Sequence, residues 1–225
     1  MLHWQKKLRN GLELHIYNLG KQELPSHLLT VEESKKWVAK YTNIPPQEQY
    51  ILQQVHGKTI WQDTECKGVL EGDGLFTQNT GQALIIKTAD CMPVFLYSES
   101  QPLLFALHAG WRGTQAKICE KAIQLSQQLF PGENVDLQGY IGPCIRKNNY
   151  EVQWDVAQHF ASYPNSCLEK KATGYFLGLD AILQHDLVEI DFINSGTCTL
   201  DSPDYFSHRG GDKGRNLGVA FLQQT

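Results

Sequence analysis

The chain has 225 residues, 41% hydrophobic and 20% charged, an ordinary globular composition with enough length for a sizeable core. Its net charge of −4 and pI near 6.0 give no electrostatic case for nucleic acid or an anionic membrane surface. No apolar stretch is long enough to span a bilayer, the basic N-terminus lacks the apolar segment of a signal peptide, and six cysteines without a C-x-x-C pair read as free thiols, so a cytoplasmic protein is expected.

In chain order, "TVEESKKWVAKY" opens on a capping box, with Thr30 as N-cap and Glu33 three residues later, and predicts a short helix. "YILQQVHG", Tyr50 to Gly57, reads as a strand ending in a histidine and a glycine, and "EGDGLFTQ" as a turn leading into an extended piece. "ALIIKTADCMPVFLY" is two β-rich stretches broken at Asp90–Pro93, and "LLFALHAG" is a further apolar strand. A helix capped by Thr114 should follow, since Ile118, Ala122, Leu125 and Leu129 recur at spacings of four, three and four. "YEVQWDVAQHFASY" repeats that pattern with Val152, Val156 and Phe160; "FLGLDAILQHD" predicts a shorter helix and "LVEIDFI" a strand. Strands and helices intermix without strict alternation and no linker divides them, which predicts one α+β or mixed α/β domain over residues 1–225, built on a mixed sheet.

Three strand ends carry a soft-metal ligand: His56 in "QVHG", Cys91 in "ADC" and His108 in "HAGW". Two imidazoles and a thiolate are a normal set for catalytic zinc, whose fourth position stays open. Read singly, Cys91 is better explained as a small core residue and each histidine as a satisfied structural imidazole; what joins them is that each lies at a strand end beside small or turn-forming residues. Arg112 in "GWRGT", just ahead of the Thr114 cap, offers a planar cationic fork beside a helix start. In "DYFSHRGGDKGRN", Ser207, His208, Arg209, Lys213 and Arg215 surround three glycines, as an anion-binding loop or a solvated basic turn.

The series "QQVHG", "GDGLFT", "TADCMPV", "HAGWRGT", "IGPCI", "YEV", "CT" and "FSHRGG…GR" resembles the YfiH family, also called laccase-domain or polyphenol-oxidoreductase-like, over about residues 50 to 220. The resemblance implies a four-layer α/β/β/α fold with mixed sheets, distantly related to cysteine-dependent deamidase toxins. It implies that His56, Cys91 and His108 bind zinc. It also implies phosphorolysis of adenosine, inosine, guanosine or methylthioadenosine, with adenosine deaminase activity; a monomer or weak oligomer is expected. Some members are described instead as peptidoglycan editing factors. For deamination, zinc-bound water would attack C6 of adenine with Asp73 or Asp90 as proton carrier; for phosphorolysis, Arg112, Arg209 and Arg215 would seat phosphate.

Four-copper laccase chemistry does not fit: its cluster needs H-x-H pairs, and the eight histidines here form none, although copper could occupy the single site in vitro. A Cys91/His108 amide hydrolase acting on a cell-wall precursor is the alternative enzyme. A zinc-stabilised binding module, its fourth ligand from Cys66, Cys144 or His208, is the non-enzymatic one. The family's threonine-arginine-glycine-glycine segment near the N-terminus is absent; "LELHIYNLGKQEL" stands there, with Lys21 the nearest cation.

Overall fold

All six residues from Leu104 to Ala109 are buried, with Leu104 and Ala106 in one apolar cluster and Phe105, Leu107 and Ala109 in another. Burial on both faces is why the strongest strands read as continuous apolar runs rather than alternating ones. The computed structural model describes residues 1–224. Its strands are β1 (Leu2–Lys7), β2 (Leu12–Leu19), β3 (Gln49–Ile51), β4 (Ile60–Gln62), β5 (Gly74–Thr77), β6 (Ala83–Thr88) and β7 (Met92–Ser98). After them come β8 (Leu104–Ala109), β9 (Leu137–Ile141), β10 (Glu151–Val152), β11 (Leu168–Lys170), β12 (Tyr175–Leu177), β13 (Asp191–Asn194) and β14 (Asn216–Gln224). The helices are α1 (Val31–Thr42), α2 (Trp111–Gln115), α3 (Ile118–Leu129), α4 (Trp154–Ala157) and α5 (Leu179–Asp186).

Two large mixed sheets lie face to face. The first has the order β1-β2-β14-β6-β3 and the second β13-β9-β7-β8-β5-β4; β10, β12 and β11 make a small third sheet. Each large sheet has parallel pairs at its margins, β3 on β6 in the first and β4 on β5 and β13 on β9 in the second, within otherwise antiparallel ladders. Leu14, Ile16, Leu84, Ile86 and Leu222 from the first sheet meet Phe95, Tyr97, Leu104 and Ala106 from the second. The opposite face of the first sheet, with Ile85, Val219 and Phe221, is covered by Val38 and Trp37 of α1. The opposite face of the second, with Val94, Leu96, Phe105 and Leu107, is covered by Ile118 and Ala122 of α3 and Ile182 and Leu183 of α5. Helix, sheet, sheet, helix is thus the layer order, an α+β architecture.

The capping box of α1 forms as predicted: the Thr30 hydroxyl accepts from the Glu33 N–H at 3.2 Å, and the Glu33 carboxylate accepts from the Thr30 N–H at 2.9 Å. Elsewhere the sequence reading needs correction. Thr114 caps nothing; it lies inside α2, which Gly110 opens, and α3 starts afresh after Lys117, whose φ of 63° breaks the helical path. "YEVQWDVAQHFASY" is not one helix: Glu151–Val152 pair as strand, and only Trp154–Ala157 is α-helical before a 3-10 turn. The predicted strand 50–57 stops at Ile51, and the Asp90–Pro93 break is narrower, since β7 already includes Met92 and Pro93. Strands β1, β2 and β14, three of the five strands of the first sheet, are absent from the sequence reading.

Candidate metal centre and its cavity

Asp73 organises the site from just ahead of β5. Its carboxylate, inaccessible to solvent, accepts the backbone N–H groups of Val55, His56 and Gly57 at 3.3, 2.9 and 2.6 Å. Those bonds hold the loop in which His56 adopts a left-handed φ of 62°, so His56 belongs to a stapled turn and not to a strand end. The same carboxylate lies 2.8 Å from Nδ1 of His108, a buried residue of β8. A carboxylate only accepts, so Nδ1 carries a proton and Nε2 is the nitrogen left for a metal. Burial opposes the charge on Asp73, yet the bonds from His108 and the backbone hold its carboxyl below the usual range.

Cys91 sits in the turn between β6 and β7. That turn is fixed by Asp90, at φ 86°, whose two oxygens accept the Thr199 hydroxyl and the Arg209 backbone N–H, each at 2.7 Å. The ligand atoms of His56, Cys91 and His108 all lie within 4.8 Å of one another. Gly110 makes this approach feasible: a Cβ there would stand 2.8 Å from the Cys91 sulfur and 3.4 Å from Cδ2 of His56. Burial raises the Cys91 thiol pKa, but hydrogen bonds to His108 and His56 outweigh it and bring it down to about 6. Burial likewise lowers His108, and bonding to Asp73 and Cys91 carries it up to about 9. Both shifts favour thiolate and imidazolium in the metal-free site, and two imidazoles with a readily formed thiolate fit a borderline-soft cation such as zinc. No fourth protein donor joins the three among the described residues: Cys144 is buried beside Cys198, and Cys66 lies in a different surface hollow.

The three donors open into a cavity of about 370 Å³, within the range of small-molecule sites. Leu28, Lys87, His208 and Arg215 also line it. Arg215 therefore shares a cavity with the three donors, whereas the side chains of the other expected anion binders are engaged elsewhere. The Arg112 guanidinium is stacked 4.3 Å over the Trp111 ring, and α2 is too short to offer a substantial helix dipole. Arg209 donates to the Glu151 carbonyl at 2.8 Å and lines a separate hollow with Trp111 and Tyr150. Lys21 is paired with Asp212 at 2.9 Å. Asp73 and Asp90, the predicted proton carriers, have both carboxylate oxygens engaged in holding the turns. Lys87 and Leu28 are among the cavity residues that sequence reasoning missed, with Gln53, Gln54, Thr88 and Ala89. A lysine inside the buried run "ALIIKT" was a usable signal, because lysine is seldom placed in such a strand without a task.

The family model described as "Multi-copper polyphenol oxidoreductase laccase" matches residues 14–223, beginning well ahead of the motifs. A purine nucleoside phosphorylase of Deinococcus radiodurans is 32% identical over 178 residues, 76% of this chain and 69% of that protein. One from Clostridium acetobutylicum is 36% identical over 109 residues, 48% of this chain and 46% of the relative, so less than half of that protein's length is matched. Among solved structures, YlmD from Geobacillus stearothermophilus superposes with a TM-score of 0.80 at 22% identity, covering 95% of this chain and 92% of that one. At that identity the likeness establishes the fold. No helix among the described residues is long and apolar enough to cross a membrane.

Proposed function

Since the chain belongs to the polyphenol oxidoreductase laccase family, and relatives within reach of it carry the name purine nucleoside phosphorylase, we propose that it is a zinc-dependent purine nucleoside phosphorylase. In the reaction an oxygen of hydrogen phosphate bonds to C1′ of the ribose while the C1′–N9 bond breaks. The electron pair goes to the purine, the phosphate proton passes to it, and free base and ribose 1-phosphate result. The observation that carries this reading is the convergence of His56, Cys91 and His108 on a cavity large enough for a nucleoside and also lined by two cations, Lys87 and Arg215.

His56, Cys91 and His108 would hold the metal, and a zinc ion there would supply positive charge that polarises the group being displaced. Asp73 fixes the tautomer and orientation of His108 and the turn of His56. Gly110 keeps the space between sulfur and imidazole clear. Adenosine and inosine are the substrates to expect first, with slower deamination of adenosine; its proton carrier would have to be a group other than Asp73 or Asp90. Purified protein of known metal content, assayed on adenosine and inosine with and without phosphate, tests the reading. Cys91→Ala should abolish turnover together with metal binding. Nucleoside cleavage that survives this substitution would belong to a contaminant.

A second reading rests on a specific geometry. Cys91, His108 and Asp73 stand in the order nucleophile, base and orienting carboxylate, the arrangement of a cysteine amide hydrolase acting, for instance, on a cell-wall precursor. Chelation separates the two: the hydrolase would keep its activity without metal and lose it to thiol alkylation, whereas the phosphorylase would lose it to the chelator.

A further inference from the structure

Lys87 and Arg215 are brought together by the sheet. On β6, Lys87 stands opposite Leu217 of β14 and Thr88 opposite Asn216, and Arg215 is the residue just before that ladder begins. Both line the cavity that holds the metal ligands. Among the described residues neither forms an ion pair, and no aspartate or glutamate lines the cavity. Arg215 is held by its own loop, its Nη1 donating to the carbonyls of Lys213 and Gly214 at 3.0 and 2.8 Å. Lys87 is held at its backbone by Gln54, whose side-chain amide donates to the Lys87 carbonyl and accepts from its N–H, both at 2.8 Å. Two partly buried cations lining one cavity without a counter-charge are unfavourable unless an anion completes them.

We propose that Lys87 and Arg215 form the seat of the phosphate co-substrate, with Lys87 as a binding residue outside the metal triad. The inference rests on the phosphorylase reading and adds the residue on which phosphate affinity depends. The chemistry favours a dianion. The two side chains supply two positive charges, Lys as a compact point charge and Arg as a planar fork, a combination suited to tetrahedral phosphate. The common wall places this anion beside the metal ligands, as phosphorolysis needs. Burial and the neighbouring Arg215 both work against the ammonium of Lys87, lowering its pKa, which is the expected cost of keeping a cation in an empty anion seat.

The test uses the zinc-loaded full chain and two readouts. In turnover, Lys87→Met should raise the phosphate KM by about tenfold or more, one charge-assisted hydrogen bond's worth, with the inosine KM and the kcat at saturating phosphate changed little. Lys87→Arg should restore most of the loss. In direct binding, calorimetric titration with inorganic phosphate should give a clear affinity for the wild type and a much weaker one for Lys87→Met. The variant should melt no lower than the wild type in phosphate-free buffer, since it removes an uncompensated charge. If the wild type binds phosphate through Lys87 but cleaves no nucleoside, the seat stands and the phosphorylase reading falls. If Lys87→Met keeps the wild-type phosphate KM and affinity, the seat is wrong and the phosphorylase reading survives.

Discussion

Nδ1 of His108 lies 2.8 Å from Oδ1 of Asp73, and neither side chain has appreciable contact with water. That bond selects which imidazole nitrogen is free for a metal, and the carboxylate that makes it also ties down the backbone around His56. Asp73→Asn keeps the volume but loses the charge and puts an NH₂ where an acceptor is needed. Zinc affinity measured by chelator competition should fall by about 10- to 100-fold, as with other partners of metal-bound histidine. A variant with wild-type affinity would mean that His108 does not bind metal through Nε2.

Gly110 allows a sharper structural test. The Cβ of Gly110→Ala would fall 2.8 Å from the Cys91 sulfur, closer than a carbon and a sulfur can stand. Cys91 must then shift out of the donor triangle, so stoichiometric zinc binding should be lost. The outer layers of the fold do not depend on this contact, and far-ultraviolet circular dichroism should be unchanged. Full zinc occupancy in Gly110→Ala would show that the ligands have slack this geometry denies them.

The three donors stood out in the sequence as two histidines and a cysteine beside glycines and turn residues, but it was the family resemblance that joined them into one site. Its geometry was only half legible. His56 reads as the end of a strand, yet β3 stops at Ile51 and a buried aspartate distant in sequence bends the backbone into a left-handed turn. Nothing local announces that role for Asp73, because a Gly-Asp-Gly stretch looks like any exposed turn. Strand β2 was legible and is absent from the reading; Leu12, Leu14 and Ile16 alternate with Glu13, His15 and Tyr17. The β14 run "LGVAFL" has no such alternation because both its faces are buried, so only the sheet order makes its central place evident. The Thr114 cap failed for a tertiary reason. Lys117 departs from helical φ while its ammonium is bound by Asp186 and by Tyr163, at 2.8 Å from the phenol oxygen.

The charge state of the metal-free site gives a pH signature. Cys91 titrates near 6, against an ordinary 9.0, so metal-free protein should be alkylated by iodoacetamide along a curve with its midpoint near pH 6. Its depressed pKa contributes stability above the unfolded value that is lost as pH falls through about 6. His108, raised to about 9, contributes stability below its unfolded value that is lost as pH rises through about 9. Asp73→Asn should move the alkylation midpoint upward, and bound zinc should block the reaction. A wild-type midpoint near the ordinary thiol value would rule out the thiolate–imidazolium pair.

Arg209 and Arg215 lie in the same glycine-rich loop, and the fold sends them to different places. Arg215 reaches the metal cavity from the foot of β14; Arg209 leans over the Tyr150 ring, 5.5 Å from its centre, and donates to the Glu151 carbonyl. Arg215→Ala should therefore raise the phosphate KM by about tenfold, the usual worth of one charge-assisted hydrogen bond, with zinc content unchanged because no metal ligand touches it. Arg209→Ala removes a solvent-exposed contact between its loop and β10, so its effect should be a small loss of thermal stability with phosphate dependence preserved. The backbone bond from Arg209 to Asp90, which helps fix the Cys91 turn, does not need the side chain and persists in the variant. The pair of substitutions thus separates charge in the loop from charge in the cavity. Equal increases in phosphate KM would mean that the loop's general positive potential draws the anion in. An increase for Arg209→Ala alone would move the seat to the hollow lined by Trp111 and Tyr150.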